Sequence, residues 1–184
     1  MKTEEGRARP DVLAGARVRL RPSTTADAHV VALIAGGADV ARCMPWGALT
    51  DDAEAHAFLR ARVAGGEAGR EGHWMIEALD TREPIGLLAS RFEGVAADVR
   101  VVLAPHAWGR GHATDACATL VAWLKSAGFA RIWAETDPGN RRAVAVLERA
   151  GLVREGVLRG AAARPGVDGL AHDALVFALC VDEA

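Results

Sequence analysis

The 184-residue sequence is short of several residue types, and each shortage excludes a kind of site. It contains no tyrosine, so no phenol is available as an acid. Cys43, Cys117 and Cys180 lie far apart, no C-x-x-C occurs, and no histidine stands at metal-ligand spacing. An odd, scattered set of this kind argues against a disulfide framework and against a zinc site. We therefore expect reduced thiols that pack as small apolar side chains, no bound metal, and a cytoplasmic location.

Strong charge of one sign and long apolar runs are also missing. The formal net charge is -2 at pH 7 and basic residues are scattered, which argues against a nucleic-acid partner. No run of about 18 apolar residues occurs, which argues against a membrane span. The opening MKTEEGRARPDV lacks the apolar core of a secretory signal. The length predicts one folded domain over residues 16–184, a monomer or homodimer, after a flexible arm over residues 1–15.

Hydrophobic periodicity predicts an α+β fold with a mostly antiparallel sheet. Alternation over residues 73–103 predicts a meander of three antiparallel strands, and a helix then leads to a parallel strand. The predicted strands are residues 17–21, 73–79, 85–92, 98–103, 131–135, 152–159 and 172–180. The predicted helices are residues 28–37, 53–66, 112–127 and 141–151. Thr24 with Asp27 is expected to cap the first helix, and Thr50 or Asp51 the second.

The stretch PHAWGRGHATDA, residues 105–116, joins a predicted strand to a predicted helix through two glycines. A helix N-terminus presents unpaired backbone N–H groups and the positive end of the helix dipole. Glycines there allow an anion to approach the main chain closely. Arg110 and Thr114 could add side-chain donors. The segment has the form of a phosphate-binding turn.

Four interpretations of this turn compete. A nucleotide-binding P-loop requires G-x-x-x-x-G-K-[S/T], and neither glycine is followed by lysine and a hydroxyl residue. A dinucleotide-binding turn requires G-x-G-x-x-G/A inside repeated βαβ units, and the antiparallel meander upstream does not fit them. The third interpretation is a site for the pyrophosphate of coenzyme A. The fourth is a tight strand-to-helix turn with no ligand.

LAPHAWGRGHATDA resembles the pyrophosphate-binding signature of the GNAT superfamily of N-acetyltransferases, Q/R-x-x-G-x-G/A, with Trp108 in place of the first residue. The W-G-R-G form is similar to that of the ribosomal-protein N-terminal (alanine/serine) acetyltransferase branch. Further resemblances follow in order over residues 17–181. They are VRLRPSTTAD, MPWGALTDDAEAHAFL, DPGNRRAVAVLERAGLVREGVLRG and DGLAHDALVFAL.

The resemblance implies a GNAT fold, in which a mixed, mostly antiparallel central sheet of about seven strands is flanked by about four helices and is splayed between strands 4 and 5. It implies acetyl-coenzyme A as co-substrate, held between residues 98–103 and 131–135. Asn140 matches the family's cofactor-contacting asparagine, and it also suits a helix N-cap. The cofactor-binding residues implied are Val101, Val102, Leu103, Trp108, Gly109, Arg110, Gly111, His112, Ala113, Thr114 and Asn140.

The same resemblance nominates catalytic groups. Asp98 and Glu135 are the candidate carboxylates for taking a proton from the acceptor amine, and either could instead be a solvated strand end. A backbone N–H near Val102 or Leu103 would stabilise the oxyanion. The family's acid is a tyrosine, whose matching position here is Leu147, and Ala143 stands where the branch often has serine.

For the acceptor we expect contacts from Trp46, Trp74 and Asp173, although the tryptophans could be core residues and Asp173 could pair with an arginine. We expect acetyl transfer to a primary amine, in particular a protein N-terminal α-amine. A small-molecule amine of the aminoglycoside or polyamine type is the alternative acceptor. A non-catalytic acyl-coenzyme A-binding module is the alternative from another class, and the missing tyrosine and serine favour it.

Overall fold

The predicted α+β pattern is present in the computed structural model, which describes residues 10–42, 44, 48–163 and 167–181. The strands are β1 (Leu13–Ala14), β2 (Val18–Pro22), β3 (Glu71–Ala78), β4 (Pro84–Glu93), β5 (Ala96–Asp98), β6 (Arg100–Leu103), β7 (Arg131–Thr136), β8 (Val153–Ala163) and β9 (Ala171–Cys180). The helices are α1 (Ala28–Ala35), α2 (Ala38–Ala41), α3 (Asp52–Glu67), α4 (His112–Ser126) and α5 (Arg141–Arg149).

Within the described ranges the strands form one sheet in the order β1-β2-β3-β4-β5-β7-β9-β8, with β6 also paired to β4. Of the described strand pairs, only β5 with β7 is parallel. The predicted antiparallel meander and the single parallel step are therefore confirmed. The described strands number nine rather than about seven. The difference arises because residues 13–14, expected in the flexible arm, pair with β2, and because the strand predicted over residues 98–103 is divided at Val99.

The division at Val99 opens the sheet. Ala96, Ala97 and Asp98 pair with the start of β7, and the N–H of Val99 donates to the carbonyl of Trp133 at 2.8 Å. Beyond this bond the chain continues as β6, whose residues pair only with β4. Consequently β6 and β7 diverge, as the predicted splay between the fourth and fifth strands requires.

Two apolar cores cover the two faces of the sheet. On one face α4 and α5 pack through Leu120, Leu124 and Leu147. On the other face α1 and α3 pack through Val31 and Leu59 onto the β3, β4 and β6 part of the sheet. The second core does not extend to β7, so this face of the sheet is covered on one side of the divergence only. None of the helices in the described ranges has the length and apolar character that a membrane crossing needs.

The predicted helix caps form. Asp27 accepts a hydrogen bond from the N–H of Thr24 at 2.8 Å and forms an ion pair with Arg21 at 2.7 Å, ahead of α1. Asp51 accepts the N–H of Glu54 at 2.8 Å at the start of α3. The first helix ends at Ala35, earlier than predicted, and the short α2 follows after Gly37.

The cysteines differ in exposure. Cys117 is fully buried in α4, and burial raises the pKa of its thiol to about 12, as expected for a residue that packs as an apolar side chain. Cys180 is exposed near the guanidinium of Arg131. Cys43 lies outside the described residues.

Asp115 ties the N-terminal segment to the first turn of α4. Its carboxylate accepts the N–H groups of Ala16 at 3.1 Å, Arg17 at 2.7 Å and Val18 at 3.0 Å. A Cβ at Gly15 would collide with this carboxylate, so the close approach requires glycine there. An acid in a first helical turn is favoured by the dipole alone. The structure adds a second reason, because Asp115 satisfies three backbone donors that are distant in sequence.

We expect Asp115→Ala to lower the free energy of unfolding by about 1.5–3 kcal/mol, because charge-assisted hydrogen bonds to three amides are lost together. Urea denaturation of the whole chain measures the change. Glu148→Ala is the matched control, since Glu148 is an exposed helical carboxylate, and a surface change of this kind stays within about 0.5 kcal/mol. Equal stability of the two variants would contradict the tethering role of Asp115.

Candidate functional site

A cavity of about 1170 Å³ lies where β6 and β7 diverge. One end reaches the start of α4 and α5, and the other lies between the sheet and the α2–α3 side. Every predicted cofactor-binding residue except Arg110 lines it, and so do Asp98 and Glu135. Trp74 and Asp173 are not among the lining residues. The divergence of two strands thus gathers residues from most of the predicted motifs into one space.

The glycine turn forms the end of the cavity at α4. Gly109 has φ 74° and Gly111 has φ 81°, and Gly111 is the N-cap of α4. This left-handed conformation is costly for residues with a Cβ. A Cβ at Gly109 would meet no protein atom within 4 Å, so the backbone angle, and not protein packing, requires glycine here. The turn leaves the amides of the first helical turn free to bind an anion.

Trp108 holds this turn against its neighbours. Its indole Nε1 donates to the carbonyl of Leu103 at 2.8 Å, and the guanidinium of Arg142 lies 4.9 Å from the ring centroid. The tryptophan therefore connects the end of β6, the turn and the start of α5. An arginine stacked on the ring also adds positive charge at the same end of the cavity.

Arg17 is a lining residue that sequence reasoning missed. Its side chain passes 3.6 Å from the position of a Cβ on Gly111. Arg110, which the sequence placed in the site because it stands between the glycines, is not a lining residue. No local pattern in RVRLR identifies Arg17 as a site residue, because its position depends on the hydrogen bonds from residues 16–18 to Asp115.

The backbone of β6 presents donors to the gap. Along a strand, successive N–H groups point to opposite sides. The N–H of Val99 points towards β7, whereas that of Ala104 donates to Ile85 of β4 at 2.9 Å. Val101 and Leu103 follow the direction of Val99, so their N–H groups face the gap that β7 has left. The amide of Val102 faces β4, and this corrects the expectation that Val102 supplies an oxyanion donor.

Asn140 caps α5. Its Oδ1 accepts the N–H of Ala143 at 3.1 Å, and the residue lines the cavity. The capping interpretation is therefore confirmed by the hydrogen bond. A contact with a cofactor stays a prediction that this geometry permits.

Asp98 is buried and already bonded. One carboxylate oxygen accepts the N–H of Arg91 at 2.7 Å, and the other forms a close ion pair with Arg100. Arg91 lies on the neighbouring strand β4 and Arg100 lies on β6, which follows β5 in the chain, so the carboxylate stabilises β4 against the β5–β6 segment next to the divergence. Accepting a further proton would require Asp98 to give up part of this bonding.

A second polar group faces the same cavity from β3. His73 is buried, and its Nε2 lies 2.7 Å from Glu71 Oε2. Arg62 of α3 lies 3.6 Å from the same carboxylate oxygen. Burial would raise the pKa of Glu71, but the hydrogen bond from His73 and the charges of its basic neighbours outweigh it, and the pKa lies below its ordinary value. Sequence analysis did not select this pair.

The remaining predicted residues are more scattered. Glu135 is exposed at the end of β7 and lines the cavity. Trp74 is fully buried and packs edge-on against Trp123, with ring centroids 6.0 Å apart, so it is a core residue and not an acceptor contact. Asp173 accepts the N–H of Gly160 at 2.9 Å between β8 and β9, and it is not one of the residues that line the cavity. Trp46 lies outside the described residues.

In the part of the chain that the structure describes, no group of three or more His, Cys, Asp or Glu side chains is arranged to hold a metal ion. A search of the curated proteins finds no match to the chain. Several solved structures have the same fold. RimJ of Mycobacterium smegmatis, solved with a coenzyme A disulfide, superposes with a TM-score of 0.84 at 25% identity, covering 94% of this chain and 88% of that one.

Two further neighbours show the fold at lower identity. RimL, a ribosomal L7/L12 alpha-N-protein acetyltransferase solved with coenzyme A, has a TM-score of 0.82 at 18% identity, covering 93% of this chain and 98% of that one. The microcin C7 self-immunity acetyltransferase MccE, solved with acetyl-CoA and AMP, has a TM-score of 0.80 at 17% identity, covering 90% and 93%.

The family comparison agrees with the geometry. Residues 17–153 match the model of the acetyltransferase (GNAT) domain, which is well over half of the chain. The matched region contains the divergent strands, the glycine turn and Asn140. The chain belongs to the GNAT acetyltransferase family and is an N-acetyltransferase.

Proposed function

We propose that this acetyltransferase moves the acetyl group of acetyl-coenzyme A onto the α-amine of a protein N-terminus. The observation that carries the proposal is the gap between β6 and β7, which leads from the glycine turn into the second half of the cavity. RimJ and the alpha-N-protein acetyltransferase RimL have the same fold, which supports this acceptor class. MccE supports the alternative, a small-molecule amine.

The residues at the α4 end fit the donor. The free amides of residues 111–114 and the helix dipole suit a diphosphate, and Arg17 and Arg142 add positive charge beside them. The N–H groups of Val101 and Leu103 suit an extended arm that takes the place of a neighbouring strand along β6. Acetyl-coenzyme A supplies the activated acetyl thioester.

The chemical step requires a neutral amine, an oxyanion donor and a path for protons. An α-amine with a pKa of about 8 is partly neutral at pH 7 and needs little help, whereas a lysine side chain needs more. The N–H of Val101 or Leu103 would stabilise the negative charge that develops on the thioester oxygen. No tyrosine exists, and Leu147 is buried at the family's acid position. Water would therefore protonate the thiolate, whose ordinary pKa of about 8.5 makes it a tolerable leaving group.

The two nominated carboxylates have different surroundings. Asp98 is held by Arg91 and Arg100, so we assign it the positioning of β5 and β6 beside the thioester. Glu135 is exposed at the cavity mouth, so we assign it contact with the ammonium of the arriving acceptor. An exposed carboxylate in that position attracts a cation without a desolvation penalty.

The acceptor is tested by incubating the whole chain and acetyl-coenzyme A with a panel of peptides bearing a free or a blocked α-amine, alongside aminoglycosides and polyamines. We expect free thiol release and acetylated product, located by mass spectrometry, only with free α-amines. Acetylation confined to the small amines would favour the alternative acceptor. Saturable binding of coenzyme A with no product on any amine would favour the non-catalytic module.

We expect Gly111→Val to weaken coenzyme A binding about tenfold or more, because a β-branched residue disfavours φ near +80° and the amides turn away from the diphosphate. Ligand-induced thermal shift and calorimetry measure the change. Gly128→Val is the matched control, since Gly128 has φ 84° at the opposite end of α4 and does not line the cavity. The control should lose stability but keep its affinity; equal weakening by both variants would contradict the assignment of the turn.

We expect Asp98→Asn to lower the free energy of unfolding by about 1–3 kcal/mol, because Arg100 loses the charge that it faces. Glu135→Gln should stay within about 0.5 kcal/mol of the parent and instead raise the KM of the peptide. Denaturation and peptide kinetics on both variants check this division. The assigned roles of Asp98 and Glu135 are wrong if Glu135→Gln lowers the free energy of unfolding and Asp98→Asn leaves it unchanged.

A further inference from the structure

Glu71 determines which ring nitrogen of His73 carries hydrogen. Their 2.7 Å contact joins Nε2 to a carboxylate oxygen, and an ionised carboxylate can only accept a hydrogen bond. Nε2 therefore donates, and in the neutral ring Nδ1 has a bare lone pair. Within the described residues Nδ1 has no hydrogen-bond partner and is not among the fully buried unpartnered atoms, so it has accessible surface, and His73 lines the cavity.

The surroundings of His73 keep its ring neutral. Burial lowers the pKa of His73 below its ordinary value of 6.5, and the positive charges of Arg62 and Arg100 lower it further, while Glu71 opposes the change. Asp98 pairs with Arg100, and Arg91 lies on the adjacent strand of the same face. A lowered pKa means that the basic form persists at neutral pH and is lost only as the pH falls below that value.

A second polar atom near His73 also lacks a partner. Ser23 is 5% exposed, its Oγ is sealed and makes no hydrogen bond, and the residue lines the cavity. Ser23 is adjacent to His73, because its N–H donates to the His73 carbonyl at 3.1 Å. Buried hydroxyls are normally satisfied. Because Ser23 Oγ is enclosed in the wall beside the imidazole, Nδ1 of His73 is the atom of this pair that can meet a ligand.

His73 also lies on the same face of the sheet as Ala89 of β4 and Arg100 of β6, next to the gap. His73 is opposite Ala89, and Ala89 is opposite Arg100, the first residue of β6. Strands are about 4.8 Å apart, so the His73 backbone lies about 10 Å from β6, and the small Ala89 leaves the intervening space open. An amine bound over β6 on this face would lie beside Ala89, on the same side of the sheet as the imidazole.

From these contacts we propose that His73 is the general base of the transfer reaction, with Nδ1 accepting the proton of the acceptor amine and Glu71 positioning the ring. This proposal rests on the proposed function. The amine nitrogen forms a bond to the acetyl carbon, and the carbon–sulfur bond breaks with its electron pair on sulfur. Nδ1 takes the nitrogen's proton and later releases it to water, and the thiolate takes a proton from water. The products are the acetylated amine and coenzyme A thiol, with no oxidant or reductant required.

The arrangement can be tested without turnover. Nitrogen NMR of the whole chain with labelled histidine reports the tautomer of each ring, and comparison with His73→Gln identifies His73 among the six histidines. We expect hydrogen on Nε2, a bare Nδ1, and titration below pH 6.5. Hydrogen on Nδ1 in the neutral ring would overturn the proposal whether or not an acceptor has been found.

Kinetics test the role. Glutamine at position 73 keeps a donor for Glu71 but has no basic nitrogen, so we expect His73→Gln to lower kcat by about 10²–10⁴. The KM for acetyl-coenzyme A should change little, and the acidic limb of the kcat profile should disappear. Glu71→Gln should give a smaller loss of kcat with the limb displaced. Asp98→Asn should keep the limb, and a limb that persists in His73→Gln but vanishes in Asp98→Asn would return the base to Asp98.

Two failures remain distinguishable. If the parent binds coenzyme A but acetylates no amine, the proposed function fails, and the tautomer measurement still judges the His73 arrangement. If the parent acetylates peptides and His73→Gln turns over at the parental rate with bound coenzyme A, the proposed function stands and His73 is not the base. In either case a thermal denaturation curve for His73→Gln measures whether the variant is folded, and we expect a cooperative transition.

Discussion

The site depends on the place where one hydrogen-bonded ladder stops. β5 and β7 pair for three residues, and the bond from Val99 to Trp133 is the last one between them. Where the strands separate, the N–H groups of β6 that point away from β4 have no partner strand among the described residues. Unpaired backbone donors are normally covered by structure or solvent. Here they line a cavity, and an acetyl donor that offers amide and carbonyl groups of its own can take the place of the missing strand.

Side chains around the divergence keep it open. Asp98 bonds to Arg91 on the neighbouring β4 and to Arg100 on β6, and Trp108 connects the end of β6 to the glycine turn. The two apolar cores lie on opposite faces of the sheet, and neither fills the gap between β6 and β7. His73, bonded to Glu71, lines the cavity on the face that α1 and α3 cover.

Features set by local chemistry could be predicted from the sequence. The glycines at 109 and 111 were identifiable because a strand-to-helix turn with positive φ strongly favours glycine. Asp51 and Asn140 were identifiable because capping involves a residue and its near neighbours. The succession of strands and helices along the chain and the single parallel step followed from the change of hydrophobic period.

Features set by distant contacts could not be predicted. The interruption at Val99 depends on a carbonyl on another strand, and the segment DVRVVL shows no local break. In HWMIEAL the alternation does not tell which face of the sheet each residue occupies. The structure places Trp74 in the core beneath α4 and His73 on the opposite face, where it lines the cavity. Arg17 lines the cavity beside the turn because Asp115 holds a segment 97 to 99 residues away next to α4, whereas Arg110, within the turn itself, does not line the cavity. The same tether has a consequence for how the protein is made. Arg17 reaches the glycine turn only after residues 16–18 have bonded to Asp115 of α4. Removing residues beyond position 15 would therefore disturb the proposed donor site as well as the N-terminal segment.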